Sequence, residues 1–266
     1  MKTISIEDAR DLQVQMLHYI DHVCTQNDIE YYLFGGTMLG AIRHKGFIPW
    51  DDDIDIAVKR EDYQRLLDKL EKGSEIYETM YFEKNSDYYY LFGKLVDKRT
   101  SIIEKNYKTI DALGIYIDIF PLDYLPENKI EKKKIVDKVF FYRSILYYSV
   151  FTKDQFRRAS TRRKFCCILS KIYGTNRAIR KADWWCKCIK QPQAKYIIDL
   201  VGMPRKDILV DKSVFDESIR VPFEDGEYPV PVNFDRYLSA SYKNYMELPP
   251  EKDRVLKHEL KAFWRE

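Results

Sequence analysis

The segment Asp53-Ile54-Asp55-Ile56-Ala57-Val58 constrains what this chain can fold into more than any other. Asp53, Asp55 and Ala57 alternate with Ile54, Ile56 and Val58, the period-two pattern of a strand with one face in a core. Side chains two apart on a strand point the same way, with roughly 6.5–7 Å between their Cα atoms, so Asp53 and Asp55 converge on one side. Carboxylates crowded this way resist ionising together, and a divalent cation relieves them. Hard cations such as Mg²⁺, with Mn²⁺ as the alternative, prefer such oxygen ligands. A metal held by Asp53 and Asp55 is the first expectation.

Upstream, residues 31–34 read as a short strand, Gly35 and Gly36 break it, and residues 37–43 are helical in pattern. Small residues between a strand and a helix let a phosphate approach the backbone N–H groups at the helix N-terminus, and Thr37 adds a hydroxyl. Gly36 lies 17 residues before Asp53, close enough for one short helix and a return loop to bring phosphate cradle and metal to one mouth. Downstream, Ile115, Ile117 and Ile119 alternate with Tyr116 and Asp118, so Asp118 is a third acid set where its neighbours indicate burial. An unpaired buried acid is costly, which makes a chance placement a poor explanation.

Of three rival explanations of the acidic run, the first fails on spacing, the second is disfavoured by its context, and the third stays open as a minor alternative. An EF-hand loop opening at Asp51 needs glycine at its sixth position and glutamate at its twelfth, where this chain has Ile56 and Asp62. The DDxxD site of prenyl-type synthases works on a helix, against the period-two pattern here. A glycosyltransferase DxD follows a longer nucleotide-binding unit than the 52 residues before Asp53.

With 266 residues, 45% of them apolar and 33% charged, the chain has the composition of a globular protein with a sizeable core. It has no run of 18 apolar residues, and acids stand near the N-terminus where a signal peptide would be apolar. A cytoplasmic protein, or one peripheral at the inner face of the membrane, is expected. Five cysteines without secretory features point to reduced thiols. Cys166-Cys167 and Cys186-x-Cys188 lack the spacing of zinc knuckles and fall on helical patterns, as packing residues do.

The net charge of +3 conceals an asymmetry. Residues 129–190 hold 18 Lys or Arg against Glu131, Asp137, Asp154 and Asp183, a local balance of +14, so the remainder is acidic by 11. That basic block could be a solvated helical face, or could follow nucleic acid, an anionic membrane or a phosphorylated substrate. Its periodicity is helical. The expected organisation is a mixed α and β core over 1–128, a basic helical insertion over 129–190, and strands and helices over 191–266 that complete the fold. Helices are expected at 6–26, capped by Ser5, at 60–71 and near 233–245. Further strands are expected at 77–83, 88–97, 100–104, 114–120, 195–201 and 207–210, with a Pro-rich turn region at 222–231.

The run Leu33-Phe34-Gly35-Gly36-Thr37-Met38-Leu39-Gly40-Ala41-Ile42-Arg43-His44-Lys45-Gly46-Phe47-Ile48-Pro49-Trp50-Asp51-Asp52-Asp53-Ile54-Asp55-Ile56 resembles the signature of the LicD family of phosphocholine transferases, related to the fukutin group. Gly93-Lys94-Leu95-Val96-Asp97, Tyr116-Ile117-Asp118-Ile119-Phe120-Pro121-Leu122-Asp123 and Tyr245-Met246-Glu247-Leu248-Pro249-Pro250 are similar to its later blocks. The resemblance covers residues 5–125 and 220–258, not the middle third. Where family members often carry Tyr-Gly-Asp-Tyr, this chain has Tyr242-Lys243-Asn244-Tyr245.

The resemblance implies an α+β fold, a nucleotidyltransferase-like mixed sheet flanked by helices. It implies Mg²⁺ on Asp53 and Asp55, with Asp118 completing the site and taking the proton of the acceptor hydroxyl. Gly35, Gly36 and Thr37 would hold the phosphates of a CDP-linked donor, with Arg43, His44 and Lys94 as further candidate contacts. The acceptor would be a glycan, lipid-linked or free. A choline head would want an aromatic box, for which Tyr88, Tyr89, Tyr90, Phe92, Trp184 and Trp185 are the candidates. A nucleotidyltransferase acting on nucleic acid and a non-catalytic metal or nucleotide binder are the alternatives.

Overall fold

A two-residue strand, β1 (Thr3–Ile4), leads to Ser5, whose hydroxyl accepts the Asp8 N–H at 3.0 Å and starts α1 (Ile6–Gln26). On α1, Leu12, Met16, Ile20 and Val23 repeat at helical spacing and are buried. The chain continues through β2 (Tyr31–Leu33), α2 (Gly35–His44), β3 (Asp55–Lys59), α3 (Arg60–Lys72), β4 (Tyr77–Met80), β5 (Gly93–Asp97), β6 (Thr100–Glu104) and β7 (Tyr116–Leu125). Four helices follow: α4 (Lys129–Ser149), α5 (Lys153–Arg158), α6 (Thr161–Tyr173) and α7 (Thr175–Cys186). Then come β8 (Tyr196–Ile198), β9 (Val210–Asp211), β10 (Ser218–Phe223), β11 (Gly226–Pro231), α8 (Phe234–Tyr242) and β12 (Leu260–Trp264). This computed structural model describes residues 2–104, 110–202, 209–255 and 260–265.

The main sheet is mixed and runs β2-β3-β7-β5-β4, with β8 and β9 extending it beyond β7. All ten residues of β7 are buried, because it is bordered by β3 and β5 along its first part and by β8 at its end, and both α1 and α3 pack on it. Burying side chains such as Ile117, Ile119 and Leu122 contributes about 1.5–3 kcal/mol each. Pairing of β3 with β7 is parallel, while the other neighbours are antiparallel. The chain leaves the sheet at Leu125, passes through α4 to α7, and returns at Tyr196 to pair with Leu125. Arg60 of α3 ties these parts together, bonding the fully buried Asp123 at 2.6 Å and lying 3.8 Å from Asp183 of α7. Burial pushes the Asp123 carboxyl up to about 6, although Arg60 pulls the other way.

Several expected boundaries shift for local reasons. The strand expected from Asp53 begins at Asp55, because residues 51–54 curl into a loop. Of the strand expected at 88–97 only β5 forms; Tyr88 donates its hydroxyl to the Phe92 carbonyl at 2.9 Å and closes a loop instead. The strand expected at 77–83 stops at Met80. The region expected as a Pro-rich turn is the hairpin β10–β11. Its tip pairs Phe223 with Gly226, so Pro222, Pro229 and Pro231 all fall in the non-hydrogen-bonded pairs, where a missing N–H breaks no rung. A separate antiparallel sheet, β1-β12-β6, joins segments distant in sequence, of which local pattern marks only the strand at 100–104. The strand expected at 207–210 is seen as β9, residues 207 and 208 lying outside the described ones.

Candidate metal and phosphate site

The parallel register of β3 and β7 sets Asp55 opposite Asp118, about 4.8 Å apart across the ladder. In the loop before β3, one carboxylate oxygen each of Asp51, Asp52 and Asp53 lies within 4.8 Å of the others. The Asp55 carboxyl is held well above its ordinary 3.8, first by burial, then by Asp53, Asp118 and Asp51, with Lys94 acting in the opposite direction. An oxygen-only donor set of crowded acids suits a hard divalent cation, whose charge would offset that repulsion.

The glycine turn makes room for this crowding. Gly35 sits at φ +53°, and a Cβ there would stand 3.0 Å from Oδ2 of Asp55. A Cβ on Gly36 would stand 2.6 Å from Oδ2 of Asp51. The buried Thr37 accepts the Asp55 N–H on its hydroxyl at 2.8 Å, and the Phe34 N–H donates to the Asp55 carbonyl at 2.9 Å. The N-terminus of α2 therefore abuts the acids, and the Gly35 backbone also meets the Tyr237 hydroxyl of α8.

Two clamps that the sequence did not reveal shape the acidic loop. Arg10 of α1 donates to the carbonyls of Pro49, at 3.1 Å, and Asp51, and its guanidinium covers the Phe47 ring at 5.0 Å. Gln13, one turn on and buried, donates Nε2 to the carbonyls of Asp52 at 3.2 Å and Tyr116 at 3.1 Å. From the other side, Glu224 at the hairpin tip accepts the Phe47 N–H at 2.8 Å. The one signal in the sequence was an amide on the buried stripe of α1, beside Leu12 and Met16.

Lys94 is only 2% exposed and forms an ion pair with Asp118, its register partner across β5 and β7. Its ammonium lies 3.4 Å from the Tyr116 ring centroid, 5.0 Å from Tyr90 and 5.3 Å from Phe92. Part of the aromatic box anticipated for a choline head thus surrounds the protein's own cation. Asp97, at the end of the same strand, pairs with Arg99.

A family model described as LicD/FKTN/FKRP, nucleotidyltransferase domain, matches residues 28–166, which contain all of these acids. The lipopolysaccharide cholinephosphotransferase LicD of Haemophilus influenzae is 31% identical over 276 aligned positions, covering 99% of each chain. This chain belongs to the LicD family. A further relative is the human ribitol 5-phosphate transferase FKRP, 29% identical over 122 residues that cover 43% of this chain and 21% of that one. The alignment to the Haemophilus protein runs through the middle third, where motifs alone showed no LicD resemblance.

The remaining candidates of the LicD-like signature lie around the loop in different ways. Arg43 donates to the carbonyls of Tyr245 at 2.8 Å and Glu247 at 3.2 Å, fastening the C-terminal family block to α2. Burial and then Arg43 lower the pKa of His44, whose ring stands edge-on to Trp50 at 6.3 Å. Trp50 packs against the core and under Arg254, 5.6 Å from its ring. Trp184 and Trp185 on α7 meet edge to face, with ring centroids 4.9 Å apart. A cavity of about 490 Å³ opens between the 86–89 loop and the facing ends of α4 and α7, lined by Tyr88, Tyr89, Ser149, Thr175, Asn176 and Arg177 among others. All five cysteines are free thiols, and among the described residues none joins a metal-ligand group.

Proposed function

We propose that this LicD-family chain transfers phosphocholine, or a related substituted phosphate, from a CDP-linked donor to a hydroxyl of a cell-surface glycan. The observation that carries the proposal is the meeting of Asp51, Asp53, Asp55 and Asp118 beside the N-terminus of α2. Family relatives named as phosphotransferases support the reaction class. Asp53, Asp55 and Asp118 would hold Mg²⁺, or Mn²⁺; when bound, the ion neutralises charge on the donor diphosphate and the leaving phosphate.

The protein's own groups then have separable tasks. The N-terminus of α2 at Gly35 and Gly36, with Thr37 behind it, would face the donor phosphates, the Gly36 N–H toward them and the Gly35 N–H held by the Tyr237 hydroxyl. Arg10 and Gln13 fix the loop that carries Asp51 to Asp53. The acceptor oxygen attacks the phosphorus bearing choline, the bond from that phosphorus to the bridging oxygen breaks, and CMP leaves. The hydroxyl proton passes to Asp118, which its ion pair with Lys94 would hold in place. The cavity beside Tyr88 and Tyr89, with its hydroxyl, amide and aromatic lining, gives a glycan a place to lie. Catalysis in the cytoplasm, with the basic helices in peripheral contact with the anionic inner face of a membrane, would bring a lipid-linked acceptor within reach.

CMP release should be measured with CDP-choline, CDP-ethanolamine and CDP-ribitol, in Mg²⁺ and in EDTA, with and without a glycolipid extract. Release from one donor that needs both metal and extract is expected. No release from any of the three, with donor binding absent by calorimetry, would overturn the proposal.

A further inference from the structure

Helix α6 is amphipathic in the inverse of the usual sense. Phe165, Ile168, Leu169 and Ile172 recur at the spacing that a helix of a globular protein turns toward its core. Here they are 61%, 49%, 49% and 77% exposed, while the small Cys167 and Ser170 take the buried positions. At 3.6 residues per turn the four apolar side chains span an arc of about 100°. Arg162 borders that arc on one side, and Lys164 and Lys171 on the other. No acid occurs in α6, and residues 153–181 carry ten Lys or Arg against Asp154 alone. Single exposed apolar side chains need no explanation, but four on one stripe between two basic borders do.

A second copy of this chain is a poor cover for the stripe, since pairing two such faces would bring like-charged borders together. A nucleic acid would satisfy the charge and leave the stripe in water. An anionic bilayer satisfies both, because the apolar stripe enters the boundary between headgroups and acyl chains while Lys and Arg stems extend to the headgroup phosphates.

Building on the membrane contact proposed above, we infer that α6 is the part of the chain that inserts, lying in the plane of an anionic membrane with Phe165, Ile168, Leu169 and Ile172 facing the lipid. No helix among the described residues is long and apolar enough to cross a membrane.

The test uses the full chain with vesicles of phosphatidylcholine alone and of phosphatidylcholine with phosphatidylglycerol. Wild type should sediment with the anionic vesicles and be released by salt. The variant carrying Phe165→Ser and Ile172→Ser, checked for folding by its thermal transition, should partition about tenfold more weakly. In Phe165→Trp, brominated acyl chains should quench the new indole. If the double variant binds like wild type, or quenching is absent, charge alone makes the contact and the α6 inference falls. If wild type ignores anionic vesicles, the membrane contact falls with it, whereas donor turnover is untouched by either outcome. Dimerisation of wild type that the double variant abolishes would instead assign the stripe to a second copy.

Discussion

The β3–β7 end of the sheet and the helices α4 to α7 handle charge in opposite ways. In the first, Asp51, Asp53, Asp55 and Asp118 are gathered where burial and mutual repulsion raise the carboxyl of Asp55. In the second, most of the 18 basic side chains of residues 129–190 stand in solvent, where water and counter-ions screen them from one another. A surplus of charge is thus poor evidence of chemistry by itself. Charge held against its own preference is better evidence, because something must compensate it.

The sharpest contrast between the two regions should appear in turnover. Asp53→Asn or Asp55→Asn should lower transfer by a hundredfold or more, on the order expected when metal-held charge stabilisation is lost. Asp55→Asn should at the same time raise the melting temperature of the metal-free protein, since it removes a buried repelled charge. A variant with lower stability and retained CMP release would place the chemistry elsewhere.

Next in size is the ion pair beneath the site. Lys94→Met leaves Asp118 facing an apolar sleeve, and breaking a buried pair from one side destabilises by about 3–5 kcal/mol. Urea unfolding measures this directly. Asp118→Asn, which keeps an oxygen but not the proton acceptor, should lower kcat with little change in donor affinity by calorimetry.

The pH dependence of stability follows from the raised Asp55 carboxyl. The native state keeps that proton to a higher pH than the unfolded chain does, so the metal-free protein loses this contribution as pH rises from the ordinary 3.8 through the raised value. Saturating Mg²⁺ binds the ionised form and should flatten that slope in unfolding midpoints collected across the range. A slope unaffected by Mg²⁺ would dissociate Asp55 from the metal.

The smallest effects belong to the helices. The Lys133–Asp137 pair on α4 is exposed, and Lys133→Gln should change stability by no more than about 0.5 kcal/mol. Gly36→Ala falls between the extremes, because the new methyl meets the movable carboxylate of Asp51 and not backbone. It should weaken Mg²⁺ binding, read by calorimetry, more than it shifts the melting temperature.

Much of the acid-bearing region was legible because its signals are local. Period two announced β3 and β7, Gly35-Gly36 announced the end of β2 and the passage into α2, which begins at Gly35, and Ser5 announced the start of α1. What local pattern cannot carry is which element meets which. Arg10 and Gln13 sit on a helix some 40 residues before the carbonyls they hold, Lys94 finds Asp118 only through the β5–β7 register, and β12 finds β1 and β6 only when the chain has folded. The proline-bearing hairpin escaped notice because prolines read as turn residues until the register shows that each missing N–H faces away from the partner strand.

The point where the chain leaves and rejoins the main sheet has a consequence for how such a protein can diversify. Leu125 and Tyr196 are paired neighbours on adjacent strands, so the two ends of everything between them lie one strand spacing apart, about 5 Å. A segment with such close ends can be lengthened, shortened or exchanged without asking β3 or β7 to move, apart from contacts such as Arg60 with Asp183. Where the inward faces of these helices keep their core contacts, at Ile135, Val139, Ala178 and Ile179 among others, their outward faces and lengths are free to vary while β3 and β7 stay in place.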